Sequence, residues 1–171
     1  MITKDFLIKV MPNVRNLDLI FPYLLEGLNC YEINTPLREN HFIAQVAHES
    51  GEFRYLKEIA SGKAYEGRKD LGNLYKGDGM RYKGRGLIQI TGRSNYRELS
   101  KSFGVDFVLH PELLETPQYA VLSACWFWKS RGLNRLADVN DFLRITRRIN
   151  GGTNGIQHRQ IYLDRANQFN T

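Results

Sequence analysis

The chain has 171 residues, of which 42% are hydrophobic and 12% aromatic, so it can bury one sizeable core but is too short for two typical domains. Its net charge of +6 is uneven: residues 61–171 hold eighteen lysines and arginines against ten acidic residues, whereas residues 1–60 hold six against eight. The basic part predicts an anionic partner, and composition alone leaves open nucleic acid, a membrane surface or an acidic cell-wall polymer.

The sequence argues against a secretion signal, a membrane span and a disulfide framework. Lys9 and Pro12 interrupt the apolar N-terminal stretch, and no later stretch reaches the length that crosses a bilayer, so we expect synthesis in a cytoplasm and no stable membrane insertion. Cys30 and Cys125 are far apart and form no CxxC pattern, which argues against disulfides and against a zinc module. We expect both thiols to be free and buried.

Most of the chain carries helix signals. Thr35 and Thr116 are predicted N-caps, since each is followed by a proline, and Asp138 is the predicted N-cap of a later helix. Helices are predicted where such signals bound a helical repeat of apolar residues: 3–10, 36–49, 94–103, 117–131, 140–150 and 157–168.

Residues 72–91 differ from the rest, because five glycines precede the sequence LIQIT. Three of the five residues in LIQIT are β-branched, so a loop followed by a short strand over 87–91 is predicted. The elements together predict a mainly α (α+β) fold with two lobes and a small β element beside a cleft.

One glutamate falls on the apolar side of a predicted helix. Phe42, Val46 and Glu49 stand at i, i+4 and i+7 of helix 36–49, so the carboxyl group is expected to face inward. Loss of hydration favours the neutral form of a carboxyl group, which can then act as a general acid. A partly buried glutamate paired with an arginine is an equally good interpretation of this helix alone.

A second carboxylate lies nine residues further on, at Glu58. Inverting hydrolysis of a glycosidic bond needs an acid on one side of the bond and, on the other, a base that holds water, with the carboxyl groups about 6.5–9.5 Å apart. The turn at Ser50 and Gly51 gives the chain room to bring Glu58 back across a cleft. By itself, a glutamate in this position is more often a solvated surface residue.

Two polar residues share a face of the predicted strand. Period-two alternation places Gln89 and Thr91 opposite Ile88 and Ile90. Gln89 could hydrogen-bond a sugar, and the Thr91 hydroxyl could position an attacking water; the alternative is an ordinary half-exposed strand.

The familiar metal and phosphate motifs are missing. His48 and Glu49 begin like HExxH, but Glu52 stands where the second histidine is needed, and the remaining histidines show no ligand spacing. The glycine-rich segment has neither the GxGxxG nor the GxxxxGK[ST] spacing. We therefore expect no metal and no cofactor.

Five segments together resemble glycoside hydrolase family 19: AQVAHESGEF, YLKEIA, AYEGRKDLGN, GDGMRYKGRGLIQITGRSNY and RRINGG. The resemblance implies a lysozyme-like two-lobed fold, with Glu49 as the general acid and Glu58 as the general base. It further implies contacts to sugar and water for a set of polar residues: Gln89, Thr91, Asn95, Asn150 and Arg159.

The compact form of the chain, without the cysteines and several loops of plant chitinases, resembles the phage and prophage endolysins of this family. That resemblance implies a monomer with residues 1–171 as a single catalytic domain and no separate wall-binding module. Its partner would be the glycan strands of peptidoglycan rather than nucleic acid. It would be made in the cytoplasm of the host bacterium and would act on the wall in the periplasm after release by a holin.

Three alternatives to the endolysin remain open. The first is a chitinase acting on N-acetylglucosamine polymers. The second is a lytic transglycosylase that uses Glu49 alone, since a Glu-Ser pair closing a helix also resembles that group. The third is a non-catalytic basic module that binds nucleic acid or wall polymer.

Overall fold

The computed structural model describes residues 2–171 and confirms the mainly helical, two-lobed fold class. Three short 3-10 helices span Lys63–Tyr65, Lys69–Leu71 and Pro111–Glu115. The α-helices within the described residues are, in chain order, α1 (Lys4–Val10), α2 (Leu17–Cys30), α3 (Pro36–Glu49), α4 (Asp78–Arg81), α5 (Arg93–Phe103), α6 (Pro117–Ser130), α7 (Leu133–Asp138), α8 (Phe142–Asn150) and α9 (Ile156–Phe169).

The larger lobe is built around α3, which packs most extensively against α9, while α2 packs against α6. α3 has the bounds that the sequence predicts, because the Thr35 side chain accepts a hydrogen bond from the Arg38 amide at 3.4 Å and Pro36 opens the helix. Phe42 of this helix lies edge-on to Trp128, with ring centroids 5.3 Å apart, and both are fully buried. Glu49, the last residue of α3, therefore lies at the end of a buried helix.

The smaller lobe has a core of its own. Phe107 packs edge-on against both Phe103 and Tyr119, at centroid distances of 5.8 Å and 5.1 Å. Phe127, on α6, packs against the cores of both lobes, so α6 helps to join them. The fully or nearly buried residues of the smaller core are Tyr82, Ile90, Tyr96, Leu99, Phe107 and Leu114.

The strand predicted over 87–91 is wrong. The backbone there makes only isolated antiparallel bridges, of which the bridge between Arg85 and Ile90 closes a tight loop. Leu87 and Ile88 pack into the larger core, whereas Ile90 packs into the smaller one. The segment is apolar because it passes between two cores, not because it forms a half-buried strand.

One predicted helix cap is wrong, and another lacks its side-chain hydrogen bond. Asp138 ends α7 and pairs with Arg38 through two hydrogen bonds of 2.7 Å, while Asp141 caps α8 by accepting from the Arg144 amide at 3.0 Å. Thr116 is the N-cap residue of α6, as predicted, but its hydroxyl donates to the Leu113 carbonyl at 2.7 Å instead of accepting from a helix amide.

Helices α2, α4 and α7 were not predicted from the sequence, and α4 lies in the segment predicted as a loop. α2 contains Pro22, and a proline inside a helix removes a backbone donor and usually breaks the helix. Here the helix persists because Ile20, Leu24 and Leu28, spaced at i, i+4 and i+8, are buried in the larger core.

Both cysteines are free, but only Cys125 is buried; Cys30 is exposed, which corrects the expectation that both thiols would be inside. Burial raises the pKa of the Cys125 thiol. None of the helices within residues 2–171 is long and apolar enough to cross a bilayer.

Candidate active site

Glu49 lies at the end of α3 with 22% of its side chain exposed, so it is less buried than its place on the apolar side of the helix predicts. Its Oε1 atom is buried 2.6 Å from Nη1 of Arg159, in an ion pair rather than a well-aligned hydrogen bond. Because Oε1 is covered, Oε2 is the carboxyl oxygen left to meet a substrate. From the sequence, a glutamate paired with arginine and a cleft acid were alternatives, and this geometry accommodates both.

Arg159 lies behind Glu49 rather than on an open surface. Only 1% of its side chain is exposed, which differs from the sequence expectation of a substrate contact. Its Nη1 atom also donates to Gln45 Oε1 at 2.7 Å, and Gln45 in turn donates to Thr146 at 3.0 Å. A buried polar network thus connects α9, α3 and α8 and fixes the position of the Glu49 carboxyl group.

Glu58 lies in the loop after α3 and is held by the glycine-rich segment. Its Oε2 accepts from the Gly84 amide at 3.0 Å and from the Tyr65 hydroxyl at 3.1 Å, while its own amide donates to the Gly84 carbonyl at 2.9 Å. Burial and the negative charge of Glu58 raise the pKa of Tyr65, so the phenol remains a donor. No donor from residues 2–171 reaches Oε1 of Glu58, although this atom is buried.

Gly84 makes room for two candidate residues at once. A Cβ atom added at this position would lie 2.7 Å from both Glu58 Oε2 and Gln89 Oε1. A larger residue at this position would thus have to displace the ends of these two side chains. Gly84 and Tyr65 are residues that the sequence analysis did not select; the only local signal for them is the pair of motifs in which they occur.

Glu49 and Glu58 line one cavity with a volume of about 320 Å³, and Gln89 lies on its wall. The other predicted residues do not line it. Asn95 donates to the Thr91 carbonyl at 2.7 Å, both residues being half-buried, and Asn150 is half-buried at the end of α8. The complete lining is Glu49, Tyr55, Lys57, Glu58, Ile59, Ala60, Tyr65 and Gln89.

A pair of histidines supports the helices that carry the Glu49–Arg159 ion pair. His48 and His158 approach with their Nδ1 atoms 2.9 Å apart, so one nitrogen carries a proton and the other accepts it. A Cβ atom on Gly155 would lie 2.2 Å from the His48 ring, which packs directly on that glycine. Burial, followed by the charges of Arg159 and His158, lowers the pKa of His48 from 6.5 to about 4.

This histidine makes the stability of the protein depend on pH. As the pH falls below 6.5, the unfolded chain takes up a proton at residue 48, whereas the folded chain resists it until about pH 4. The free energy of unfolding should therefore decrease over that interval, and His48→Gln should reduce the decrease. Some slope should remain, because burial also lowers the pKa of His41.

Urea unfolding between about pH 4.5 and pH 7.5 measures this effect. His110→Gln is the matched control, because His110 is an exposed histidine. It should keep the pH slope of the unmodified protein. An unchanged slope in His48→Gln would show that His48 does not resist protonation in the folded state.

Among residues 2–171, no group of three or more histidine, cysteine, aspartate and glutamate side chains is arranged to hold a metal ion. The cavity instead offers two carboxyl groups supported by different networks. Glu49 is fixed by a buried arginine, and Glu58 by a backbone amide and a phenol. Such a pair can supply an acid and a base to the two sides of one bond.

Comparison with known proteins identifies a matching family model and similar sequences. Residues 40–143 match the family model described as chitinase class I, of glycoside hydrolase family 19. A Haemophilus influenzae protein described as containing a glycosyl hydrolase family 19 domain is 34% identical over 155 residues, covering 72% of this chain and 75% of that protein. An endochitinase of Arabidopsis thaliana is 38% identical over 111 residues, covering 64% of this chain and 38% of its own length.

Two solved structures share the fold. Chitinase C from Streptomyces griseus has a TM-score of 0.79 at 24% identity and covers 97% of this chain and 75% of its own. A bacterial family 19 chitinase has a TM-score of 0.80 at 21% identity, covering 97% of this chain and 93% of its own.

The family match and the paired carboxyl groups define a glycoside hydrolase. More closely, the chain belongs to glycoside hydrolase family 19, as its sequence motifs imply.

Proposed function

We propose that this enzyme is an endolysin that hydrolyses β-1,4 glycosidic bonds of bacterial peptidoglycan, with Glu49 as general acid and Glu58 as general base. The observation that carries the proposal is that both carboxyl groups line one cavity while separate networks hold them. This arrangement also distinguishes the proposal from a lytic transglycosylase, which would need only Glu49.

In the proposed reaction, Oε2 of Glu49 protonates the leaving oxygen of the scissile bond. Arg159 then stabilises the carboxylate that remains, because its guanidinium lies 2.6 Å from the other oxygen. Arg159 acts in this proposal as a positioning residue.

Glu58 takes a proton from the water that attacks the opposite face of the sugar. Gly84 and Tyr65 hold Oε2, so the Glu58 carboxyl group has a defined position from which to accept this proton. Attack from that side inverts the anomeric carbon, provided that bound substrate sets the carboxyl groups about 6.5–9.5 Å apart. Gln89, on the same wall, is placed to hydrogen-bond the sugar.

Peptidoglycan is proposed as the substrate because the positive charge is concentrated in residues 61–171 and the wall polymer is anionic. The competing substrate is chitin, which the names of the plant and bacterial relatives favour. Both polymers contain β-1,4-linked N-acetylglucosamine, so the two carboxyl groups could serve either. Release through a holin-type lesion and action in the periplasm complete the proposal.

Parallel reactions on the two polymers test which of them is the preferred substrate. Purified protein is given equal accessible amounts of colloidal chitin and Gram-negative sacculi, and new reducing ends are measured. We expect faster release from sacculi. Equal or faster release from chitin would overturn the endolysin proposal and leave a chitinase with the same acid and base. A Glu49→Gln sample corrects for contaminating activity.

A further inference from the structure

A second cavity, of about 480 Å³, adjoins the one that holds the two carboxyl groups. The two cavities share Tyr55, Lys57, Glu58 and Ile59 as lining residues. A polymer that passes Glu58 can therefore extend from one into the other. The shared wall suits such a ligand, because it includes Ile59, a large hydrophobic side chain with 81% of its surface exposed.

The second cavity is rich in cations. Arg54, Lys57 and Lys83 line it, against two carboxylates, Glu58 and Glu115. The Glu115 carboxylate already has a partner that does not line the cavity, since it accepts from Nε of the buried Arg85 at 2.9 Å. It also lies 3.6 Å from the Lys57 ammonium group.

Two of the cations have no acidic partner. Within residues 2–171, no carboxylate lies within 4.0 Å of Arg54 or Lys83. Arg54 only approaches the Tyr55 ring, at 6.0 Å from its centroid. Unpaired cations beside a substrate cleft attract an anionic group of a ligand and improve its electrostatic fit.

Of these two cations, Lys83 is the better placed to bind an anionic group of a ligand near Glu58. It is half-buried, and its carbonyl accepts from the Tyr96 hydroxyl at 2.6 Å. The next residue, Gly84, donates its amide to Glu58. The backbone that carries Lys83 is therefore fixed on both sides, next to the candidate base.

We propose that this second cavity is a subsite for the carboxylates of the peptide stem on muramic acid, with Lys83 as its main cation and Arg54 and Lys57 in support. The inference rests on the proposed function and adds to it the residues that select the substrate. Chitin carries no ionised group that could pair with these cations. A stem peptide next to the scissile bond carries several carboxylates.

The test uses un-cross-linked, peptide-bearing peptidoglycan strands in two forms, native and with their carboxylates converted to neutral amides by carbodiimide coupling to ammonia. The readout is the ratio of kcat/KM for the native form to that for the amidated form. Lys83→Gln should lower this ratio about two- to fivefold, the range of a solvent-exposed ion pair. Lys83→Glu should lower it further, because it adds repulsion.

Lys101→Gln is the matched control, since it makes the same charge change on an exposed residue of α5 that lines neither cavity. It should leave the ratio unchanged. An equal loss on both forms of the substrate in Lys83→Gln would overturn the subsite, because the lysine would then act through Glu58. An unchanged ratio of kcat/KM for native over amidated strands in all variants would also overturn the subsite. If the unmodified enzyme does not cleave native strands at all, the proposed function itself fails.

Discussion

Glu49→Gln is expected to lower turnover on peptidoglycan by about 10²- to 10⁴-fold, the usual contribution of general acid–base catalysis. The amide fits the same space but has no acidic proton to give to the leaving oxygen. Arg159 would keep its hydrogen bonds to Gln45 and to the Asn154 carbonyl, so the variant should fold. Loss of the counter-ion should cost about 1–3 kcal/mol of stability.

The control for this variant is Glu52→Gln, the same change three residues along the chain. Glu52 accepts from the Tyr162 hydroxyl at 2.8 Å and from the Asn13 amide, and it does not line the cavity. The Glu52→Gln variant should lose some stability and keep its activity. Measurements of kcat and of urea unfolding on both variants separate catalysis from folding. A Glu49→Gln enzyme with near-normal kcat would remove Glu49 from the reaction.

Glu58→Gln is expected to cause a comparable loss, about 10²- to 10⁴-fold in kcat, because an amide oxygen is a poor acceptor for a proton from water. The side-chain oxygen of glutamine can still accept from Gly84 and Tyr65, so the local structure should persist. If this variant remained active while Glu49→Gln was inactive, a single-glutamate mechanism would replace the one proposed.

Gly84→Ala tests the position of Glu58 without altering the chemistry of the Glu58 carboxyl group. The added Cβ would lie 2.7 Å from Oε2 of Glu58 and from Oε1 of Gln89, so both side chains must move. Displacement of a catalytic group by about 1 Å can cost about 100-fold in rate. A fully active Gly84→Ala enzyme would mean that the position of Glu58 in this structure does not matter for turnover.

Local rules predicted the part of the site that lies on a regular helix. Thr35, Pro36 and the apolar repeat define α3, and the position of Glu49 follows from them. The same rules failed at 87–91, where β-branched residues indicated a strand. There the side chains fill two separate cores, which is a property of the tertiary fold and is invisible in a short window of sequence.

The support of the site depends on contacts between distant parts of the chain. Gln45 meets Arg159 across 114 positions, and Glu58 meets Gly84 across 26. Composition and periodicity carry no information on such pairs. The family resemblance implied a sugar contact for Arg159, which is instead buried behind Glu49, and Tyr65 was not selected at all.

Mass spectrometry of the products made from purified peptidoglycan in ¹⁸O-labelled water tests the two-carboxylate mechanism most directly. If Glu49 protonates the leaving oxygen while Glu58 activates water, each cleavage should produce a reducing sugar that carries one oxygen from the solvent. Products that end in an anhydro ring and lack solvent oxygen would contradict this account, because they require no activated water and therefore no role for Glu58 as a base.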